Sequence, residues 1–380
     1  MRYKWLAEDF VVEEVIDHPL SSHRDRYKVF VVEKKNVETF QFLQSLAKKL
    51  RIRSSDIGIA GIKDTRALAK QWMSVPASVG MMPVMQGVNF SFLGYSSEEV
   101  SSRSLRENRF VLTVREIEEE EKQEVEDRLL HIMKEGYPNY FDDQRFGSYV
   151  DGKWVGKLIF QGKMEEALYL LMKLRFSEAF FRYVEQHWGD WKECLELARK
   201  RHHREGMRVF GFLSKEGHEK GFRHAVGLFD HRYLILVVNA YRGYLFNRYL
   251  SRQCEGGEGV FLPTCAGDVF FPVRKPILPE EGWLLAYDGE GRKRGYEEIL
   301  QEEGLALKDM KVRGIYGVVV HASPRPLWVM PVLESYSWGK DEVFVEKNKL
   351  LMSFRLPPGS YATWVLKWLA YGKEKKKRTT

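Results

Sequence analysis

The hydrophobic pattern of this chain changes near residue 150, and that change limits the folds that the chain can adopt. Before it, β-branched and aromatic residues predict β-strands at 10–15, 27–32 and 109–115. A helix is predicted at 39–50, where apolar residues recur at helical spacing. From 151 to about 201 the apolar residues follow helical spacing again. We therefore expect a strand-rich region, a domain boundary near residue 150 and then a helical region.

Weaker patterns cover the rest of the chain. Further strand character is predicted for apolar segments at 233–238, 255–275, 326–330 and 350–354. Residues 54–75 are expected to form a loop, because two glycines precede a charged turn. Residues 137–148 combine Pro, Asn and Gly with aromatic side chains, which favours a structured loop. The basic tail at 372–380 has no apolar residue to pack and is expected to be disordered.

Composition restricts the class of protein. The chain has 380 residues, with 60 Lys and Arg against 53 Asp and Glu, a formal net charge of +7. This length predicts two domains, or one domain with a large insertion. The excess of positive charge makes a polyanionic partner worth testing, although many basic enzymes bind no nucleic acid. No apolar run approaches the roughly 20 residues of a membrane helix, and the charged N-terminal segment is not typical of a signal peptide.

The cysteines and the missing motifs narrow the chemistry. Three cysteines cannot form a disulfide framework, so a reducing, cytoplasmic location is expected. Cys254 and Cys265 lack partners at zinc-ligand spacing, and the usual nucleotide-binding and metalloprotease motifs do not occur. We therefore expect chemistry that uses no metal and no organic cofactor.

Residues 60–64 (AGIKD) are the first candidate site. Gly61 would let the backbone approach a ligand closely. The adjacent Lys63 and Asp64 place a cation beside a carboxylate, which would stay ionised. Such a carboxylate can act as a nucleophile, as a base or as a stabiliser of developing positive charge. On pattern alone, a surface turn is the more common explanation of so short a segment.

Residues 136–147 (GYPNYFDDQRFG) are the second candidate site. Aromatic rings can stack on an unpaired base, amides can hydrogen-bond its edge, and arginine can neutralise phosphate. The alternative is that Tyr140, Phe141 and Phe146 are ordinary core residues beside a buried arginine. The residues alone leave both interpretations open.

Seven segments, in order along nearly the whole chain, resemble the TruD family of tRNA pseudouridine synthases. They are 8–14 (EDFVVEE), 34–39 (KKNVET), 60–71 (AGIKDTRALAKQ), 108–110 (NRF), 136–147, 245–247 (LFN) and 356–363 (LPPGSYAT). The ordered set is highly specific, although each segment alone is weak. Ala69, Glu107 and Asp142 stand where the family pattern has Thr, Gly and Gly. Asp142 matters most, because glycine permits backbone conformations that aspartate adopts less easily.

The resemblance implies an α+β fold. Residues 1–150 and 324–380 would form a catalytic domain with a mixed antiparallel sheet, interrupted by an inserted domain at 151–323. It also implies the isomerisation of a uridine in tRNA to pseudouridine, with position 13 in the D-arm region as the expected target. The expected partner is tRNA, and we expect a monomer that binds no membrane and no metal.

The resemblance also assigns roles to residues. Asp64 would be the catalytic carboxylate, with Lys63 and Glu14 holding the local charge and geometry. Phe141 would stack on the uracil, and Asn139 would hydrogen-bond the base or position Asp64. RNA contacts are expected from residues in these motifs and in the basic run 199–208, namely Phe10, Lys34, Gln71, Arg109, Arg145, Arg199, Arg201 and Arg204. Whether Asp64 attacks the sugar, attacks the base or acts as a base stays open.

Two other functions compete with this one. The chain could be an RNA-binding protein that kept the fold without catalysis, but binding alone does not require the carboxylate of the Lys63–Asp64 pair. It could also be another RNA-modifying enzyme, such as a methyltransferase, but no glycine-rich strand–loop–helix segment supports that.

Overall fold

Two compact units divide the chain in the computed structural model, which describes residues 1–61, 63, 67–216 and 219–378. The first unit is discontinuous and consists of Met1–Tyr137 and Trp328–Thr380, whereas the second is Pro138–Leu327. The sequence placed the boundaries after residues 150 and 323 instead. The segment 138–147 therefore belongs to the second unit.

The regular elements are as follows. The strands are β1 (Phe10–Ile16), β2 (Tyr27–Lys35), β3 (Gly58–Ile59), β4 (Leu68–Pro76), β5 (Val88–Ser96), β6 (Leu105–Ile117), β7 (Tyr137–Pro138), β8 (Tyr149–Val150), β9 (Lys153–Trp154), β10 (Gly259–Leu262), β11 (Val269–Pro272), β12 (Glu281–Leu284), β13 (Ser323–Pro326), β14 (Trp328–Val329), β15 (Val332–Lys340) and β16 (Asn348–Leu356). The helices are α1 (Thr39–Leu50), α2 (Lys122–Glu135), α3 (Val155–Gln161), α4 (Met164–Arg175), α5 (Glu178–Gln186), α6 (Trp191–Lys200), α7 (Arg204–Glu216), α8 (Glu219–Gly227), α9 (His231–Cys254), α10 (Glu297–Glu302) and α11 (Thr363–Arg378).

One mixed sheet forms the centre of the first unit. Its eight strands, counted within the described residues, follow the order β15-β16-β6-β1-β4-β2-β5, with β3 beside β4. β1 and β4 run parallel, and β1 and β6 run antiparallel. In the register of β1 and β6, Glu14 lies opposite Asn108. The α+β class with a mixed sheet, predicted from the sequence, is confirmed.

Helix α1 covers part of this sheet because its apolar residues share one face. Phe42, Leu43 and Leu46 are buried against strand residues that include Phe30 and Val32. The Glu38 carboxylate caps the helix by accepting hydrogen bonds from the first free backbone N–H groups. The sequence predicted this helix with the bounds that the structure shows.

Helices α2 and α11 pack together in the same unit. The Trp368 indole stacks on His131 at a centroid distance of 5.8 Å, and its Nε1 donates to the Arg128 carbonyl at 3.1 Å. Because α11 continues to Arg378, the backbone of 372–378 is helical where the sequence predicted a disordered tail. Lysine is a good helix former, so the basic end extends a helix that Trp364 and Leu369 anchor.

The second unit is mainly helical around α9. This 24-residue helix is buried on most sides and contacts α3, β11 and β12. The strand predicted at 233–238 was wrong, because these residues lie inside α9. A helix that is buried on several sides has a continuous apolar run, and periodicity cannot separate such a run from a buried strand. The predicted loop at 54–75 was also wrong for 68–75, which forms most of β4.

In the part of the chain that the structure describes, no helix has an apolar stretch long enough to span a bilayer.

A buried arginine ties the two ends of the first unit to β6. The guanidinium of Arg115 donates to Asp9 through Nε at 2.9 Å and to Asp341 through Nη1 at 2.9 Å. All three side chains are at most 5% exposed. Removing the arginine would leave two buried carboxylates without this partner, which is far costlier than losing a surface ion pair.

We expect Arg115→Ala to lower the stability of the first unit by about 3–5 kcal/mol. Urea unfolding, followed by tryptophan fluorescence, measures the change. Arg106→Ala is the matched control, because Arg106 pairs with Asp17 on the surface and should contribute less than about 1 kcal/mol. Equal unfolding midpoints for the two variants would contradict the importance of the Arg115 cluster.

Candidate active site

A buried ion pair lies beside the first candidate segment. The Lys63 ammonium is 2.7 Å from Oε1 of Glu14, and the two side chains are 6% and 0% exposed. Lys63 Nζ also donates to Oδ1 of Asn108 at 2.8 Å. The second oxygen of Glu14 accepts the Trp72 backbone N–H at 2.7 Å. Three adjacent strands, β6, β1 and β4, therefore fix the position of Lys63.

The hydroxyl of Thr39, at the start of α1, holds the backbone of the same segment. Oγ1 accepts the Lys63 N–H and donates to the Lys63 carbonyl, both at 3.3 Å. It also accepts a hydrogen bond from Lys34 Nζ at 2.8 Å. The Gln71 amide donates to the Gly61 carbonyl at 2.6 Å. Gly61 is thus held by Gln71 of β4, and Lys63 is held by side chains of α1, β1 and β6.

Burial sets the electrostatics of this cluster. It raises the pKa of Glu14, although the nearby Lys63 charge opposes the rise. It lowers the pKa of Lys34 to about 8, against the attraction of Glu38 and Glu14. The buried amines of Lys34 and Lys63 therefore interact with two carboxylates, those of Glu14 and Glu38.

Asp64, the predicted catalytic residue, lies outside the described residues, as do Ile62, Thr65 and Arg66. What the structure defines is the anchored segment that immediately precedes it.

The second candidate segment is held within the second unit. Phe141 exchanges two hydrogen bonds of 2.8 Å with the Asn247 side chain, one through its N–H and one through its carbonyl. Arg325 donates to the Asn139 side chain at 2.8 Å and to its carbonyl at 2.9 Å. Its guanidinium lies 3.9 Å from the centre of the Phe141 ring. The Asn139 amide in turn donates to the Pro326 carbonyl at 3.0 Å.

Asn247 and Arg325 are therefore part of this arrangement although sequence reasoning gave neither a role. Asn247 stands in the matched segment 245–247, which could have indicated it. Arg325 lies 186 residues from Asn139 in the chain, and no local pattern links them. Asp142 has extended backbone, with φ −104°, so its replacement of the family glycine imposes no backbone strain.

Three of the residues predicted to contact RNA are buried, which corrects the prediction for them. Phe10 is 2% exposed and packs edge-on against Phe110 in the sheet. Lys34 and Gln71 are each 1% exposed and hold Thr39 and Gly61. These side chains stabilise the sheet and the anchored segment, and they present no surface to RNA.

The predicted arginines differ in their surroundings. Arg109 is partly exposed and pairs with Glu13 and Glu334. Arg145 is partly buried, and its Nε has no hydrogen-bond partner among the described residues. Its guanidinium lies 5.5 Å from the centre of the Phe141 ring. In the basic run, Arg199, Arg201 and Arg204 are exposed, with Arg199 paired to Glu196 at 3.0 Å.

His203 also lies in the basic run, but it is partly buried. Its Nδ1 accepts the Gly206 N–H at 3.0 Å, and its ring lies 4.6 Å from Phe176 and 4.5 Å from Phe180 between centroids. Burial lowers the pKa of His203. This histidine caps α7 rather than facing a ligand.

Among the described residues, no three His, Cys, Asp or Glu side chains meet in an arrangement that could hold a metal ion. Cys194 and Cys254 are buried and Cys265 is exposed, and none of the three forms a disulfide bond.

Comparison with known proteins relates this geometry to a family. The chain is 29% identical to the probable tRNA pseudouridine synthase D 2 of Methanocaldococcus jannaschii, covering 100% of this chain and 93% of that protein. It is 25% identical to the tRNA pseudouridine synthase D of Leptospira interrogans, covering 96% and 95%. The crystal structure of a putative tRNA pseudouridine synthase D from Methanosarcina mazei has a similar fold, with a TM-score of 0.63, 23% identity and coverage of 97% and 92%. The family model for tRNA pseudouridine synthase D matches residues 1–289 and 282–369, so the chain belongs to the TruD family.

Proposed function

We propose that this chain converts a uridine of tRNA to pseudouridine, with Asp64 as the catalytic carboxylate and position 13 as the target. The observation that carries the proposal is the anchored segment before Asp64. Both Gly61 and Lys63 are held by buried side chains, and Lys63 forms a buried pair with Glu14. Supporting groups that fix a short segment in this way are typical of catalytic sites. Burying two charges for packing alone would bring little stability.

The reaction breaks the bond between uracil and ribose, turns the base and rejoins it through carbon. As in glycoside cleavage, positive charge develops on the sugar when the bond breaks. An ionised carboxylate near the anomeric carbon stabilises that charge, whether it then attacks or removes a proton. We assign this role to Asp64, because it follows the anchored Lys63 directly in the chain.

Lys63 and Glu14 act as positioning residues in this proposal. Lys63 supplies positive charge next to Asp64 in sequence, which favours the ionised form of a carboxylate. Glu14 balances that charge and fixes the ammonium between β1 and β6. The electrostatic environment is then in place before the substrate binds, so no reorganisation is needed during the reaction.

The target base of a folded tRNA must leave its stack to reach a catalytic group. Asn139 and Phe141 are 2% and 5% exposed, so the predicted hydrogen bonding and stacking with the base meet the same burial that excludes Phe10 from RNA. We therefore assign both residues to the buried support of the pocket that receives the base. Arg325 and Asn247 support this assignment, because they fix the backbone and side chains of the 139–141 segment. Cytoplasmic location, a monomeric state and independence of a bound metal stay predictions from the sequence. Mapping pseudouridine in RNA from cells with and without this gene tests the target position.

Asp64→Asn removes the charge with almost no change of shape. We expect turnover of saturating tRNA to fall by several orders of magnitude while tRNA affinity changes little. Single-turnover pseudouridine formation and a binding titration measure the two effects. Asp56→Asn is the matched control, since Asp56 is a surface residue that pairs with Arg53 in the same region. Near wild-type turnover by Asp64→Asn would rule out the proposed mechanism.

Glu14→Gln keeps the size of the side chain and removes the charge opposite Lys63. We expect kcat to fall by about 10²-fold, because a displaced Lys63 moves the segment before Asp64, while KM stays nearly unchanged. Glu13→Gln is the control on the neighbouring position of β1, where Glu13 pairs with the partly exposed Lys70. A rise in KM with an unchanged kcat would show that Glu14 serves tRNA binding instead.

Replacing Arg199, Arg201 and Arg204 together with Ala tests the basic run. If these arginines bind phosphates, tRNA affinity falls and the slope of log affinity against log salt flattens by up to about two to three units. Fluorescence anisotropy titrations at several KCl concentrations measure both quantities. Turnover at saturating tRNA should stay close to normal because Asp64 is unchanged. An unchanged slope and affinity would mean that the run faces only solvent.

A further inference from the structure

A second group of positive charges, not indicated by any motif, surrounds a cavity within the second unit. The cavity has a volume of about 450 Å³ and lies among the C-terminal end of α3, helix α8 and residues 304–313. Its lining includes four cationic side chains, from Lys163, Arg223, Lys311 and Arg313. The carboxylate in the lining is that of Asp309.

The four cations that line the cavity are not neutralised by carboxylate partners, so their charge is available to an anionic ligand. In the described part of the chain, no ion pair within 4.0 Å joins a carboxylate to any of these four, of which Arg223 is partly buried and the other three are exposed. Asp309 does not neutralise them by direct pairing, because its Oδ2 accepts the Ala306 backbone N–H at 2.9 Å. Glu303, next to the lining residue Gly304, is engaged by Lys157 at 2.7 Å and Arg248 at 2.8 Å.

Arg223 is also fixed in place before any ligand binds. Its Nη1 donates to the Arg313 carbonyl at 2.8 Å. Gly314 leaves the space that the side chain occupies, since a Cβ on Gly314 would lie 2.7 Å from Arg223 Cδ. A Cβ on Gly162 would lie 3.6 Å from its Nη2. A guanidinium held in one orientation suits the paired oxygens of a phosphate group.

We propose that this cavity binds a backbone phosphate of tRNA. The inference rests on the proposed function, because that function supplies RNA as the source of the phosphate. A phosphate group matches the chemistry of the site: it accepts hydrogen bonds only, carries negative charge, and can be held by Arg223 from within and by Lys311 and Arg313 from the rim. The exposed Lys163, which follows α3, adds a further positive charge to the rim, on a chain segment other than that of Lys311 and Arg313.

The test compares two charge-matched double variants of the full chain. Lys311→Ala with Arg313→Ala removes two cations from the cavity. Lys192→Ala with Arg294→Ala removes two exposed cations of the same unit that do not line it. We expect the cavity variant to weaken tRNA binding on the order of tenfold and to flatten the salt slope by roughly 0.7–0.9, the value for one lost phosphate contact. The control variant should change each quantity much less.

Inorganic phosphate and pyrophosphate, titrated at constant ionic strength, distinguish the two sources of the group. If either compound binds tightly to the wild type, and the cavity variant loses this binding while tRNA affinity is unchanged, the site takes a free phosphate compound and the RNA assignment is overturned. Equal tRNA affinities and slopes for the cavity and control variants would overturn it as well. Melting temperatures check that both variants are folded.

The same preparations separate this inference from the proposed function. If the wild-type protein forms pseudouridine and the cavity variant binds tRNA like the control variant, the proposal for the cavity is refuted and the proposed function is not. If the wild-type protein forms no pseudouridine but the cavity variant loses tRNA affinity, the proposed function is refuted and the proposal for the cavity is supported. At saturating tRNA the cavity variant should keep wild-type turnover, because the residues assigned to catalysis are unchanged.

Discussion

The buried pair of Lys63 and Glu14 is the interaction on which the proposed site depends. Removing two charges from water is costly unless their remaining hydrogen-bonding groups are satisfied. Here the strand order satisfies them: β1 carries Glu14 between β4, which supplies the Trp72 N–H, and β6, which supplies Asn108. The parallel contact of β1 with β4 and the antiparallel contact of β1 with β6 therefore hold the pair jointly.

Much of the fold of the first unit could be predicted because its elements have regular local patterns. The alternation in β1, β2 and β6 and the helical spacing in α1 result from burying one face of each element. β4 was missed because the polar, glycine-containing residues before it suggested a loop, and its strand character depends on pairing with β1 and β2. The strand prediction for 233–238 failed for the opposite reason. A helix that is buried on most sides has no polar face, so its sequence shows no helical period.

The sequence predicted which residues belong to the candidate site better than it predicted what each residue does there. Lys63 and Glu14 were expected to share charge and geometry, and the structure brings them to 2.7 Å. Lys34 and Gln71 belong to the same motifs, but they support the backbone instead of RNA. A motif shows that a residue matters to a family, and only burial and contacts separate a side chain that binds the ligand from one that holds its neighbour. Arg325 shows a further limit, because its contacts with the 139–141 segment join distant parts of the chain.

The division between buried and exposed cations shows how a chain with a net charge of only +7 could present local positive charge to a polyanion. Buried cations such as Arg115 and Lys63 have their own carboxylate partners and add little to the field outside the protein. Net charge therefore understates the local field wherever unpaired cations gather. The cavity lined by Arg223 and Lys311 is such a place, since its acidic member is engaged by the backbone. Affinity for RNA would then depend on where carboxylates are absent, and the proposed catalytic segment would depend on where a carboxylate is buried.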